Sequence, residues 1–172
     1  MAKFRANKYE VIRGIWKGIA VPSLMYGMNV VNWTNGDMTK LEIVQNKIAR
    51  LALGSNQMTA VVALSGDMGW SSFEERFMKG RLNYKARIDA MDEDRWVKII
   101  SIFYGCRGKW VKSCSRMINR VGLHKTWQRI GGSNQWHMVM YPEDRKTHRP
   151  EELKVILKNK IEEYWLKKWQ EG

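Results

Sequence analysis

The amino-acid sequence predicts an all-α protein, a bundle of about five to six helices with an irregular segment near 122–149. Three observations lead there. Apolar side chains recur at three- and four-residue spacing through most of the 172 residues, the period of one helix face. Thr39 with Glu42, and Ser72 with Glu75, fit capping boxes, the reciprocal hydrogen bonds that open a helix. Gly54 and the Gly105–Gly108 stretch fall where apolar stripes end, as helix stops do.

Taken in order, a first helix is expected over Lys3–Ile19, with Phe4, Val11, Ile12, Ile15, Trp16 and Ile19 on one face. Pro22 kinks or ends it, and Thr34-Asn35-Gly36-Asp37 has turn composition. The next helix carries Leu41, Val44, Ile48, Leu51 and Ala52 as its stripe, with Asp37 a rival to Thr39 as N-cap. A short apolar helix at Thr59–Leu64 precedes a turn at Asp67–Trp70. Ser72 opens a helix striped by Phe73, Phe77, Gly80, Tyr84, Ile88 and Met91, with basic residues expected on its other positions. Asp92, Glu93 and Asp94 suit a helix N-terminus, followed by Trp96, Ile99, Ile100 and Phe103. Trp110–Val121 reads as a basic helix, and short strands are expected near Trp136–Tyr141. Pro150 sits where a first-turn proline belongs, opening a helix lined by Leu153, Leu157, Ile161, Tyr164, Trp165 and Trp169.

Charge narrows the function. The formal net charge is +13, and residues 76–129 alone hold fourteen basic and four acidic side chains. Such a field favours a polyanionic partner. At 44% hydrophobic, the chain is too apolar for wholesale disorder. Its two cysteines cannot frame a disulfide scaffold and fit a reducing, intracellular setting, nucleus or cytoplasm. The uncharged run Gly18–Gly36 is long enough to span a bilayer, but its proline, asparagines and glycine speak for a buried soluble element and no membrane partner.

Catalytic and metal patterns are missing. Cys106, Cys114, His124 and His137 are separated by seven, nine and twelve residues, unlike the close ligand pairs of structural zinc sites. There is no phosphate-binding glycine loop and no nucleophile elbow. The densest acids, Asp92-Glu93-Asp94, point to different helix faces and cannot clamp two metals. Aromatics beside basic residues are more telling, because rings stack on bases while Lys and Arg hold phosphates. Trp96 and Trp169 fall on apolar stripes and are assigned to the core; Trp110, Trp127 and Trp136 are left to stack.

One stretch resembles a known family. Ile15-Trp16-Lys17-Gly18-Ile19-Ala20-Val21-Pro22-Ser23-Leu24-Met25-Tyr26-Gly27, then Trp33, then Leu41-Glu42-x-x-Gln45-Asn46-Lys47-x-x-Arg50-Leu51-x-Leu53-Gly54, is similar to the region downstream of the polymerase core in non-LTR (LINE-type) retrotransposon reverse transcriptases. Leu64-x-x-Asp67-Met68-Gly69 and the helix after it fit more loosely, so the likeness covers about residues 8–95. It implies an all-α thumb that grips a template–primer duplex, with RNA template, DNA primer and the rest of the reverse transcriptase as partners. It also implies a palm upstream that binds divalent metal through a Tyr/Phe-x-Asp-Asp motif. This chain has no Asp-Asp pair, so neither cofactor nor polymerase activity is expected of it alone.

The resulting expectation is a nucleic-acid-binding, non-catalytic C-terminal portion of an RNA-directed DNA polymerase. Residues 1–95 form a thumb-like region and 96–172 a basic helical extension, or the two run on as one domain. Nucleic-acid contacts are assigned to Arg76, Lys79, Arg81, Lys85 and Arg87, and to Lys109, Trp110, Lys112, Arg116, Arg120, Lys125, Trp127 and Arg129. Two alternatives stand beside it: a helix-turn-helix DNA-binding protein built on Ala60–Leu64 and the Ser72-capped helix, and a protein or membrane interaction module using the last helix.

Overall fold

In the computed structural model, residues 7–105, 108–123, 127–129, 136–138 and 150–171 are described. The fold is all-α, as expected. Its helices are α1 (Lys8–Ile15), α2 (Val21–Met25), α3 (Asn35–Leu53), α4 (Val61–Met68), α5 (Phe73–Asp89), α6 (Trp96–Gly105), α7 (Lys109–Val121) and α8 (Pro150–Gln170). A π-helical turn, Trp16–Ala20, joins α1 to α2, so the described helices form seven runs. A minimal antiparallel ladder pairs β1 (Trp127–Arg129) with β2 (Trp136–Met138), Gln128 opposite His137. A strand was expected at Trp136; the part of that expectation reaching Tyr141 lies outside the described residues.

Pro22 explains the π-turn. It has no N–H to offer the carbonyl four residues back, and its ring crowds that carbonyl. The helix widens just before it, and the Val21 N–H bonds the Trp16 carbonyl, five residues back. The expected single helix Lys3–Ile19 is therefore a shorter α1 followed by this turn; Lys3 and Phe4 lie outside the described residues.

The chain divides into two compact units, Met1–Met28 with Trp33–Arg76, and Asn29–Asn32 with Phe77–Gly172. The division falls inside α5, between Arg76 and Phe77. In the first unit α3 packs against α1 and α4. Its core is aromatic: the Trp16 ring lies 5.7 Å from Trp70 and meets Phe73 edge-on at 6.2 Å. The buried face of α3 is Met38, Gln45, Ala49 and Ala52, while Val44 and Leu51 of the expected stripe are exposed. On α1 likewise, Val11 and Ile15 are exposed. Helical periodicity locates an apolar face but not the side from which a neighbour arrives.

Capping also differs from expectation. Thr34 is the N-cap of α3, and Asp37 closes the box by accepting from the Thr34 N–H at 3.1 Å. Those two hydrogen bonds from Thr34, hydroxyl and backbone, hold the Asp37 carboxyl below its usual range. Glu42 is freed for another helix: it accepts the Phe73 N–H at the start of α5, where Ser72 Oγ also accepts from the Glu75 N–H. Burial pushes the Glu42 carboxyl up, against the pull of the Phe73 and Glu74 backbone donors. Helix α4 runs to Met68 instead of ending at Leu64, and its last carbonyls receive Tyr9, Arg13 and Lys17, one side chain per turn of the α1 run. Gly54, Gly69 and Gly122 close α3, α4 and α7 in the left-handed conformation that glycine adopts without strain.

The second unit has a core of Met78, Leu82 and Ala86 from α5, Ile118, Val121 and Leu123 from α7 and the residue pair after it, and Leu157 and Ile161 from α8. Tyr164 and Trp165 pack on its edge, as the α8 stripe predicts. Trp96 and Trp169 are not core: they are 76% and 59% exposed. Among the described residues no helix is long and apolar enough to cross a membrane.

Candidate nucleic-acid interface

Helix α7 has the clearest division of faces. Val111, Cys114, Ile118 and Val121 are buried. Lys109, Lys112, Arg116 and Arg120 are exposed, at intervals of three and four residues. The helix carries no acidic residue. Burying three β-branched side chains contributes about 1.5–3 kcal/mol each, whereas turning the helix over would desolvate several cations at several kcal/mol per ion. Its orientation is thus fixed by the core. The stripe runs from Lys109 to Arg120, eleven helical rises or about 16 Å along the axis.

Helix α5 behaves differently. Of the five cations assigned to nucleic acid there, Arg81 and Lys85 are buried, at 0% and 2% exposure. This corrects their expected role. The Arg81 guanidinium donates to the Asn29 carbonyl (3.3 Å), the Val31 carbonyl (3.0 Å), Asn32 Oδ1 (3.1 Å) and Ser113 Oγ (2.9 Å). It lies over the Phe77 ring at 4.7 Å and the Trp110 ring at 5.7 Å. Burial draws it below the usual guanidinium value, yet it stays charged. Lys85 forms an ion pair with Asp89 at 2.5 Å. Arg76 is half-buried and engaged by Gln45 Oε1 and Ser71 Oγ, both at 3.0 Å. So the aromatic stripe of α5 lies under its arginines, contrary to the expected separation. Arg87 is exposed and Lys79 partly so.

Trp110 is partly packed rather than open. Its indole N–H donates to the Asn29 carbonyl at 2.8 Å, and its ring meets Tyr84 edge-on at 6.1 Å. It is a packed residue of the second unit, not a free stacking platform. Trp127 and Arg129 pair through their backbones with β2, and Lys125 lies outside the described residues. Trp136 is the backbone partner of Arg129 in that register.

Phe73 at the start of α5 is buried and Arg76 is engaged, so the end of a recognition helix that would meet base edges offers Glu74 and Glu75. On α8, Leu157 and Ile161 are core, which removes the centre of the supposed docking stripe. Cys114 is a buried thiol that desolvation pushes up to about 12; Cys106 and His124 lie outside the described residues. Among the described residues, no three His, Cys, Asp or Glu side chains gather closely enough to hold a metal ion.

The resemblance motif acquires a physical role. Glu42 caps α5, and the buried Gln45 donates to the Ser71 carbonyl at 3.2 Å while accepting from Arg76. The Leu-Glu-x-x-Gln element thereby clasps α3 to the start of α5. In comparison with known proteins, the chain matches no family model, no curated protein and no solved structure.

Proposed function

We propose that this chain binds nucleic acid through the α7 stripe and is the non-catalytic C-terminal portion of a non-LTR retrotransposon reverse transcriptase, acting on RNA template and DNA primer inside the cell. The observation that carries the binding is the row of Lys109, Lys112, Arg116 and Arg120 on a helix without a single acid. Cations so spaced meet phosphates and read no sequence. The placement within a reverse transcriptase rests on the motifs of residues 15–54. The absence of an Asp-Asp pair supports a role in holding rather than copying.

The test is fluorescence anisotropy with a primed RNA template, on the intact chain and on the Lys112→Ala/Arg116→Ala variant. The double variant should bind at least tenfold more weakly at low salt, each lost phosphate contact counting separately. Equal affinity of the two proteins, or no binding at low salt, defeats the reading. Preference for a primed template over unprimed RNA of the same length bears on the reverse-transcriptase assignment.

A further inference from the structure

The second unit contains a cavity of about 260 Å³ between α5, α6 and α7. Tyr84 and Trp110 supply aromatic wall, Val30, Ile88, Val97, Ile100 and Val111 aliphatic wall, and Ser101 and Gly108 also line it. Its volume falls below the roughly 300–1,000 Å³ of drug-sized sites, so it suits a single flat ring system. Gly108 is the N-cap residue of α7 and, as glycine, offers no side-chain cap of its own. Its first turn presents N–H groups without helical partners, and Lys109 and Lys112, both exposed, lie within that turn. A ring held in the cavity and an anion held beside Gly108 would belong to one molecule.

We infer that this cavity receives an unpaired nucleobase of a single strand, whose adjoining phosphate meets the start of α7. This rests on the nucleic-acid reading above and extends it from phosphate to base. The charge argues for that occupant over an apolar protein side chain, since the helix at the cavity's edge holds four cations and no acid. Apolar and aromatic walls bind a base by its faces, and every base has such faces. The site therefore favours unpaired over paired nucleotides without choosing strongly among sequences. The sequence alone hid it, because Trp110 reads as a stacking residue in the open and instead forms a wall.

The experiment compares three ligands of equal length: a single strand with 2-aminopurine at its centre, the same strand with abasic sites replacing several central nucleotides and its charge unchanged, and a duplex. The abasic strand should bind about tenfold more weakly than the intact one, the order of one base–aromatic contact. Val97→Trp and Ile100→Trp, at positions 43% and 52% exposed, fill the cavity from its rim. Each should erase that difference and the change in 2-aminopurine fluorescence while leaving duplex binding unaltered. Intact and abasic strands bound alike, with affinity still falling as salt rises, would overturn the cavity and leave the α7 reading standing. No salt-dependent binding to any of the three defeats both.

Discussion

Replacing Arg81 separates a structural cation from a ligand-binding one. Arg81→Met keeps an unbranched apolar stem and removes every donor. Four acceptors lose a charged hydrogen bond, each worth about 1.5–3 kcal/mol when well shielded. Val31 and Asn32 are exposed, so water replaces two of them cheaply. The Asn29 carbonyl keeps the Trp110 indole, and the remaining loss concentrates on Ser113 and on the tie to Asn29–Asn32. Releasing a desolvated cation offsets part of the cost. The net destabilisation should be about 3 kcal/mol, a large share of the roughly 5–15 kcal/mol that holds a domain together. Arg81→Lys should recover part of it, because an ammonium cannot reproduce the planar fork. Urea denaturation followed by circular dichroism and tryptophan fluorescence measures this, with the exposed Arg87→Ala as control, expected within about 0.5 kcal/mol of the parent. If Arg81→Met unfolds at the parent's midpoint and instead loses nucleic-acid affinity, the buried-clasp reasoning is wrong.

Glu42→Ala should cost about 1–2 kcal/mol, the worth of a helix cap, and should raise amide exchange at Phe73 and Glu74. In a Cys106→Ser background, the Cys114 thiol should resist an aromatic disulfide reagent at pH 8 until denaturant is added, since its pKa near 12 leaves almost no thiolate in the folded chain; rapid native labelling contradicts its burial. Because the folded chain holds that proton more tightly than the unfolded one, stability should fall as pH rises above about 9, and Cys114→Ala should remove that fall. Asp37 acts in the opposite direction: its folded value lies below the ordinary 3.8, so its contribution is present above 3.8 and lost as pH falls through the folded value, and Asp37→Asn should reduce the acid sensitivity of α3 in circular dichroism.

The elements that could be read from the chain are those whose local signals and burial agree. Helix α7 has one apolar face, one basic face and Gly122 after it, and the core takes the apolar face. Helix α8 opens at Pro150 and buries Leu157 and Ile161 as its stripe requires. Where signals compete, one chain position fits two local patterns. Thr39 with Glu42 and Thr34 with Asp37 are both box-like; the latter forms, and Glu42 accepts instead from Phe73, thirty-one residues on. No local pattern contains that contact. Arg81 fails for the same reason: its acceptors in Asn29–Asn32 come from about fifty residues earlier, and a basic residue among basic neighbours reads as solvated until those carbonyls are placed around it.

This changes what the charge of residues 76–129 can mean. Arg76, Arg81, Lys85 and Lys98 hold polar groups of their own chain; Lys98 closes the end of α5 through the Asp89 and Met91 carbonyls at 3.0 and 2.7 Å. Those cations organise the fold, and counting them toward a phosphate-binding surface overstates it. The α7 stripe presents four. Each phosphate neutralised on a duplex contributes about −0.9 to the slope of log affinity against log salt. Four contacts give a slope of about −4, whereas ten, the net charge of the segment, would give about −9. A slope near −4 that drops by about two units in the Lys112→Ala/Arg116→Ala variant fits an interface confined to α7. A slope near −9 would mean that cations outside α7 reach the ligand as well, and that the interface is not confined to that helix.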